Sequence, residues 1–169
     1  MNLFIKRSFD IIFGILLLII MLPIFIIISI AIKLDSNGPI FFKQCRLGKN
    51  GKTFTIIKFR SMIVNAENLG TGIFNMENDI RVTKVGSFLR NTSIDEIPQI
   101  FNVITGKMSF VGPRPPLTYE LGDYEEMTNR FKARFTVKPG ITGLSQINGR
   151  NSLTWDQKIK YDLEYIKQF

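Results

Sequence analysis

The chain has 169 residues, of which 45% are hydrophobic, and it carries a formal charge of +8 with a pI near 9.7. One cysteine, Cys45, excludes an intrachain disulfide, and the lack of histidine excludes a Ser-His type of triad and most zinc sites. What remains is a chain of single-domain size with an anionic partner (nucleic acid, an anionic lipid surface or a phosphorylated substrate) and chemistry confined to carboxylates, lysine, tyrosine or a hard oxygen-bound metal.

Ile11 to Ile32 contains no charged residue, a run of about 22 positions, long enough as a helix to cross a hydrocarbon core about 30 Å thick. A cleaved signal peptide fits poorly, because the run exceeds a typical signal core. Lys6 and Arg7 precede the run, and Lys33, Lys43, Arg46, Lys49 and Lys52 follow it. Basic flanks stay cytoplasmic, so a straight span must export one of them, whereas a re-entrant hairpin exports neither. Pro23, near the middle, lacks an N–H and is placed to kink the helix, although an ordinary span also tolerates such a kink. The re-entrant form is narrowly favoured and the span stays open. The expected organisation is a membrane-inserted segment over 1–34 and a cytoplasmic domain over 35–169.

Phe41 to Lys43 and Thr53 to Phe59 are rich in aromatic and β-branched residues, with Gly48-Lys49-Asn50-Gly51 as a turn signal between them, and predict a β-hairpin. Asn65 to Asp79 has no period and reads as a loop. Thr83 to Ile104 reads as two short helices broken near Asn91 to Ser93. Gly112-Pro113-Arg114-Pro115-Pro116 must be an extended, stiff loop, because its prolines fix φ and exclude helix. Tyr124, Met127, Phe131 and Phe135 recur at helical spacing over Tyr119 to Phe135 and predict an amphipathic helix, with Tyr124 and Met127 in the core and part of the Phe131 to Phe135 end against the membrane. Thr154 and Gln157 form a capping-box pattern for a last helix whose face holds Trp155, Ile159, Leu163 and Ile166. That helix reaches Phe169 without a stop signal, which predicts a chain truncated at its C-terminus.

Asp95 and Glu96 stand side by side in Thr92 to Gln99. Helix capping explains such a pair, and so does chemistry: an ionised aspartate can attack phosphorus while a neighbouring glutamate holds a Mg²⁺ that bridges diphosphate oxygens. Glu125-Glu126 is a second adjacent pair, most simply solvated. Arg90, a turn or so before Asp95, and Arg114, clamped between prolines, are guanidinium groups in settings suited to phosphate oxygens. Pro139 to Arg150 is glycine-rich and could bring backbone N–H groups to an anion, but it matches neither a Walker A loop nor a dinucleotide fingerprint.

Taken together, Lys6-Arg7 with Asp10, GPIFFKQ (Gly38 to Gln44), KFRSM (Lys58 to Met62), DIRVTKVG (Asp79 to Gly86), LRNTSIDEIPQIFNV (Leu89 to Val103), MSFVGPRP (Met108 to Pro115) and KPGITGLSQINGRN (Lys138 to Asn151) resemble the bacterial sugar transferases of the small monotopic phosphoglycosyl transferase type. The resemblance covers nearly the whole chain. It implies an α+β fold: a re-entrant membrane helix broken near Pro23, then a small, mainly helical domain with a β-hairpin and interfacial helices, on the cytoplasmic face of the bacterial inner membrane. It implies a Mg²⁺-dependent, two-step reaction in which Asp95 attacks the sugar-proximal phosphorus of a UDP-sugar, UMP leaves, and polyprenyl (undecaprenyl) phosphate takes the phosphosugar. Glu96 would ligate Mg²⁺, Arg90 and Arg114 would contact phosphate, and Lys58, Arg60, Gln146, Asn148 and Arg150 are further candidates for the nucleotide-sugar site. The implied partners are these two substrates and membrane phospholipids, with no nucleic acid. Leu22-Pro23 stands where family members often carry Ser-Pro, and Lys107 where Asp is common. A branch acting on hexose 1-phosphates is a near alternative, carried on longer chains. The alternative of another class is a single-span anchor bearing a basic domain that binds nucleic acid or anionic lipid without chemistry.

Overall fold

An uncharged run of this length satisfies its backbone polar groups most simply within itself, and it does so in the computed structural model, which describes residues 3–69 and 79–168. Helix α1 (Leu3–Asp35, 33 residues) contains the whole run, giving a length of about 50 Å. Its most apolar 18-residue window is only 11% buried, whereas the core helix of a soluble protein would be mostly covered. The helix passes through Pro23 without interruption, so the expected break does not appear as a gap in it. One lost N–H bond is survivable when the turns on either side stay paired.

The described residues form a mixed helix and sheet fold that divides into two compact units. One comprises Leu17–Lys43 and Ile57–Pro98, the other Met1–Leu16, Gln44–Ile56 and Gln99–Phe169. The predicted hairpin is present as β1 (Phe41–Leu47) and β2 (Thr53–Phe59), paired in one sheet. Asn50 and Gly51 turn it with positive φ of 56° and 72°.

In the first unit, Phe25, Ile28 and Ile32 of α1 pack with Phe59 of β2 and Leu89 of α2 (Lys84–Asn91), and Ile94 and Ile97 lie against them. Thr83 caps α2 by accepting from the Gly86 N–H at 3.0 Å. Gly86 is required for contact: a Cβ there would stand 2.0 Å from the Ser61 carbonyl oxygen. Asp35 accepts from the Val85 N–H at 2.8 Å and ties the end of α1 to the start of α2. The break expected near Asn91 to Ser93 is found, with Ser93 at φ 58° followed by a 3₁₀ turn over Ile94–Gln99. Most of the loop read over Asn65 to Asp79 lies outside the described residues.

In the second unit, α3 (Ile100–Ile104) leads to β3 (Ser109–Val111), which pairs in parallel with β4 (Gly140–Thr142), Ser109 opposite Gly140 and Val111 opposite Thr142. The two backbones approach so closely beyond β3 that a Cβ on Gly140 would stand 2.1 Å from the Gly112 nitrogen. This clamps the proline-rich loop that follows Gly112. The continuous helix expected over Tyr119 to Phe135 is not formed; only α4 (Asn129–Ala133) is helical there, with a 3₁₀ turn over Arg134–Thr136. Gly122 at φ 79° and the capping residue Thr128 divide the segment. Three of its aromatics face inward, Phe135 buried with Leu47 and Met127 and Tyr124 and Phe131 packed on them, while Tyr119 is exposed, so the expected membrane contact at Phe135 is corrected to core packing. After α5 (Leu144–Ile147), α6 (Trp155–Lys167) has the predicted Thr154–Gln157 capping box. Its buried positions are Ile159 and Asp162, one residue off the expected Leu163.

Candidate active site

The residues read from the sequence fall into two groups, one in each unit. Asp95, Glu96, Lys58, Arg60 and Arg90 belong to the first; Arg114, Gln146, Asn148 and Arg150 belong to the second.

Asp95 and Glu96 open the 3₁₀ turn Ile94–Gln99, and both are buried, at 9% and 8% exposure. The turn holds this pair because Ile94 and Ile97 on either side are drawn into the apolar cluster and Pro98 sits within it. The Glu96 backbone N–H bonds the Ser93 carbonyl at 3.2 Å. Its side chain meets Lys58 of β2, whose ammonium lies 2.8 Å from Glu96 Oε1. An ion pair this enclosed fixes the direction in which the carboxylate points. Arg90 is half-buried in the last turn of α2. Arg60 sits elsewhere in the unit: its guanidinium donates to the carbonyls of Ser36 and Asn37, both at 2.7 Å, and to Ser36 Oγ at 2.9 Å. It thus covers orphan carbonyls at the end of α1, the capping role that a cation at a helix C-terminus performs.

Of the second group, Arg114, Gln146 and Arg150 line a pocket of about 470 Å³ together with Arg46, Arg134, Lys158, Glu120 and Trp155. Five cations against one carboxylate favour an anionic occupant. Arg134 is 2% exposed and makes two contacts with Asp162, Nε at 2.9 Å and Nη2 at 2.8 Å. Burial pushes the Asp162 carboxyl above its ordinary range and the Arg134 guanidinium below its own, and the pairing opposes both shifts. Nη2 also donates to the Arg114 carbonyl at 2.8 Å, so the buried pair fixes the backbone that presents Arg114. The Arg134 guanidinium lies 5.1 Å from the Trp155 ring and the Lys158 ammonium 4.7 Å from it.

Two buried atoms in this wall have no hydrogen-bond partner among the described residues: Arg134 Nη1, a donor, and Gln146 Oε1, an acceptor. Gln146 is held by its amide nitrogen, which donates to the Ile141 carbonyl at 2.6 Å. A buried unsatisfied donor costs about 1–3 kcal/mol unless a ligand or water meets it. Asn148 is exposed, lies outside the pocket lining, and donates to the Leu144 carbonyl at 2.8 Å. Sequence reasoning missed Arg46, Arg134, Trp155, Lys158 and the supporting Asp162. One signal was present: Asp162 stands three residues after Ile159 and four before Ile166, a carboxylate within an apolar face that demands a buried partner.

Glu96 and Asp95 are hard oxygen donors, and no group of three or more His, Cys, Asp or Glu side chains forms a cage among the described residues. That donor set suits Mg²⁺, which binds through one or two carboxylates and completes its shell with water and substrate phosphates.

A model of the family described as bacterial sugar transferase matches residues 1–169. The chain is 48% identical, over 98% of its length, to a UDP-glucose:undecaprenyl-phosphate glucose-1-phosphate transferase of Klebsiella pneumoniae, and 44% identical, over 99%, to the protein of the same name from Escherichia coli K12. It is 38% identical, over 98%, to an undecaprenyl-phosphate galactose phosphotransferase of Salmonella typhimurium. In each case the match covers 37% of the relative, so the chain spans a little over a third of the length of these longer proteins. With a family model matched from end to end over the hairpin, the buried Asp95-Glu96 pair and the cationic pocket, this chain belongs to the bacterial sugar transferase family.

Proposed function

We propose that this chain transfers a sugar 1-phosphate from a UDP-sugar to a polyprenyl phosphate such as undecaprenyl phosphate, yielding a polyprenyl diphosphate sugar and UMP. The observation that carries the reading is the enclosed Asp95-Glu96 pair with Lys58 fastened to Glu96 at 2.8 Å. An aspartate oxygen attacks the sugar-proximal phosphorus, the bond from that phosphorus to the UMP oxygen breaks, and the resulting acyl phosphate passes the phosphosugar to the polyprenyl phosphate oxygen, restoring the carboxylate. Lys58 orients Glu96. In the other unit, the pocket lined by Arg114, Gln146 and Arg150 is by its charge suited to a phosphate-bearing ligand. Mg²⁺ held by Glu96 would supply charge neutralisation on the diphosphate. The names of the relatives favour a hexose, glucose or galactose.

The poorly covered α1 supports insertion in a membrane, and the basic residues on both of its flanks support a re-entrant course with the folded part on the cytoplasmic face of the bacterial inner membrane. Cysteines placed at positions 2 and 49 should both resist labelling from outside intact cells; labelling of one alone would mean a straight span. The covalent route predicts a burst of UMP, stoichiometric with protein, from UDP-sugar and Mg²⁺ without lipid acceptor, and the mass of a phosphosugar on Asp95. Turnover that requires both substrates at once, with no adduct, would overturn it.

A further inference from the structure

A second cavity, of about 650 Å³, opens beside the first turns of α1, between Leu3, Lys6, Arg7, Asp10, Lys49 and Lys138. Four cations face it against one carboxylate, and that carboxylate is occupied: Asp10 accepts from Ser109 Oγ and the Phe110 N–H, both at 3.1 Å, and lies 3.8 Å from Lys6. Arg7 donates to the carbonyls of Val103 and Ile104 at 2.7 Å each. Those partners are neutral carbonyls. Lys138 approaches the same spot. A Cβ built on Gly106 would lie 3.2 Å from Arg7 Nη2 and 3.5 Å from Lys138 Nζ. The half-buried ammonium of Lys138 has no hydrogen-bond or ion-pair partner among the described residues. Burial first and then the nearby Arg7 charge push its pKa down, against an opposing pull from Asp10.

Four like charges brought together with a single carboxylate among them are unfavourable, and a bound anion relieves them. The apolar side of the cavity names its source. Leu3 lines the cavity and, with Phe4 and Ile5, is exposed on the first turn of the helix read as membrane-embedded. A phosphodiester with acyl chains would place its charge on Lys138 and Arg7 and its chains along that apolar face.

We infer that this cavity binds the phosphate of an anionic phospholipid, Lys138 being the principal contact. The inference rests on the reading that α1 lies in the bilayer. The full chain should first float with neutral phosphatidylcholine vesicles. It should then be reconstituted in nanodiscs of phosphatidylcholine with a minor share of phosphatidylglycerol and released for native mass spectrometry. Wild-type protein should retain phosphatidylglycerol in preference, and Lys138→Gln should lower that preference about fivefold, the worth of one basic residue near a lipid surface. Lys160→Gln, which removes an exposed charge from α6, should leave it unchanged. Inorganic phosphate should fail to displace the lipid. Equal retention by wild type and Lys138→Gln, an equal loss in Lys160→Gln, or displacement by inorganic phosphate would each overturn the lipid site. Failure to float with neutral vesicles would overturn the membrane reading and the site with it.

Discussion

Two of the enclosed ion pairs among the described residues, Lys58–Glu96 and Arg134–Asp162, differ in kind. Lys58–Glu96 meets through one oxygen at 2.8 Å, its side chains 14% and 10% exposed, beside the carboxylate proposed as nucleophile. Arg134–Asp162 brings two guanidinium nitrogens, Nε and Nη2, to the single oxygen Oδ2, its side chains are 2% and 1% exposed, and Nη2 bonds onward to the Arg114 carbonyl. The first pair leaves its carboxylate accessible enough to take part in chemistry, whereas the second is closed and holds a loop in place. A charged pair therefore reports chemistry or architecture according to what its remaining atoms face. Enclosure alone does not separate the two.

Substitutions can break this comparison. The largest expected effect is Asp95→Asn, which keeps a hydrogen-bonding side chain but removes the anionic nucleophile; turnover should fall on the order of 10³-fold or more while the melting transition stays in place. Near-wild-type UMP release would refute the role. Asp162→Asn should act oppositely, leaving the Arg134 charge uncompensated in a closed site. Chemical denaturation should show a loss of about 3–5 kcal/mol, and a stable variant would show that the pair is not architectural.

Smaller effects sharpen the contrast. Lys58→Met should lower kcat by about 10–100-fold and raise the Mg²⁺ concentration needed for half activity, because Glu96 loses the group that orients it. Stability should change by no more than about 1–2 kcal/mol, as this pair is less enclosed. The smallest effect concerns Tyr165 on α6, whose hydroxyl donates to the Val111 carbonyl at 2.9 Å. Burial, with Asp10 adding to it, pushes its pKa up to about 12. A phenol whose folded pKa exceeds its unfolded value near 10 stabilises fully below about pH 10, and that contribution is lost as pH rises through about 12. Tyrosinate absorbance at 295 nm should show one late-titrating phenol, absent in Tyr165→Phe.

Where a signal is local, the sequence alone determined the outcome. The uncharged run implied α1, the aromatic and β-branched stretches around Gly48 to Gly51 implied the hairpin, and Thr154 with Gln157 implied the start of α6. Asp95 and Glu96 were legible for the same reason: they adjoin in the chain, so no folding is needed to bring them together. Tertiary structure decided the rest. Tyr119 to Phe135 has helical spacing, yet Gly122 and Thr128 interrupt it and the demand to bury Phe135 with Leu47 and Met127 overrides the period. Arg60, a further candidate for the nucleotide-sugar site by resemblance, has its guanidinium drawn to the carbonyls of Ser36 and Asn37 at the end of α1, because only the fold supplies those acceptors. The cationic pocket assembles Arg46, Arg114, Arg134, Arg150 and Lys158 from segments more than a hundred residues apart at their extremes. Charges so distant in sequence become one field only when burial of the apolar residues between them fixes their positions, so composition reported their sign and the fold alone determined where they meet.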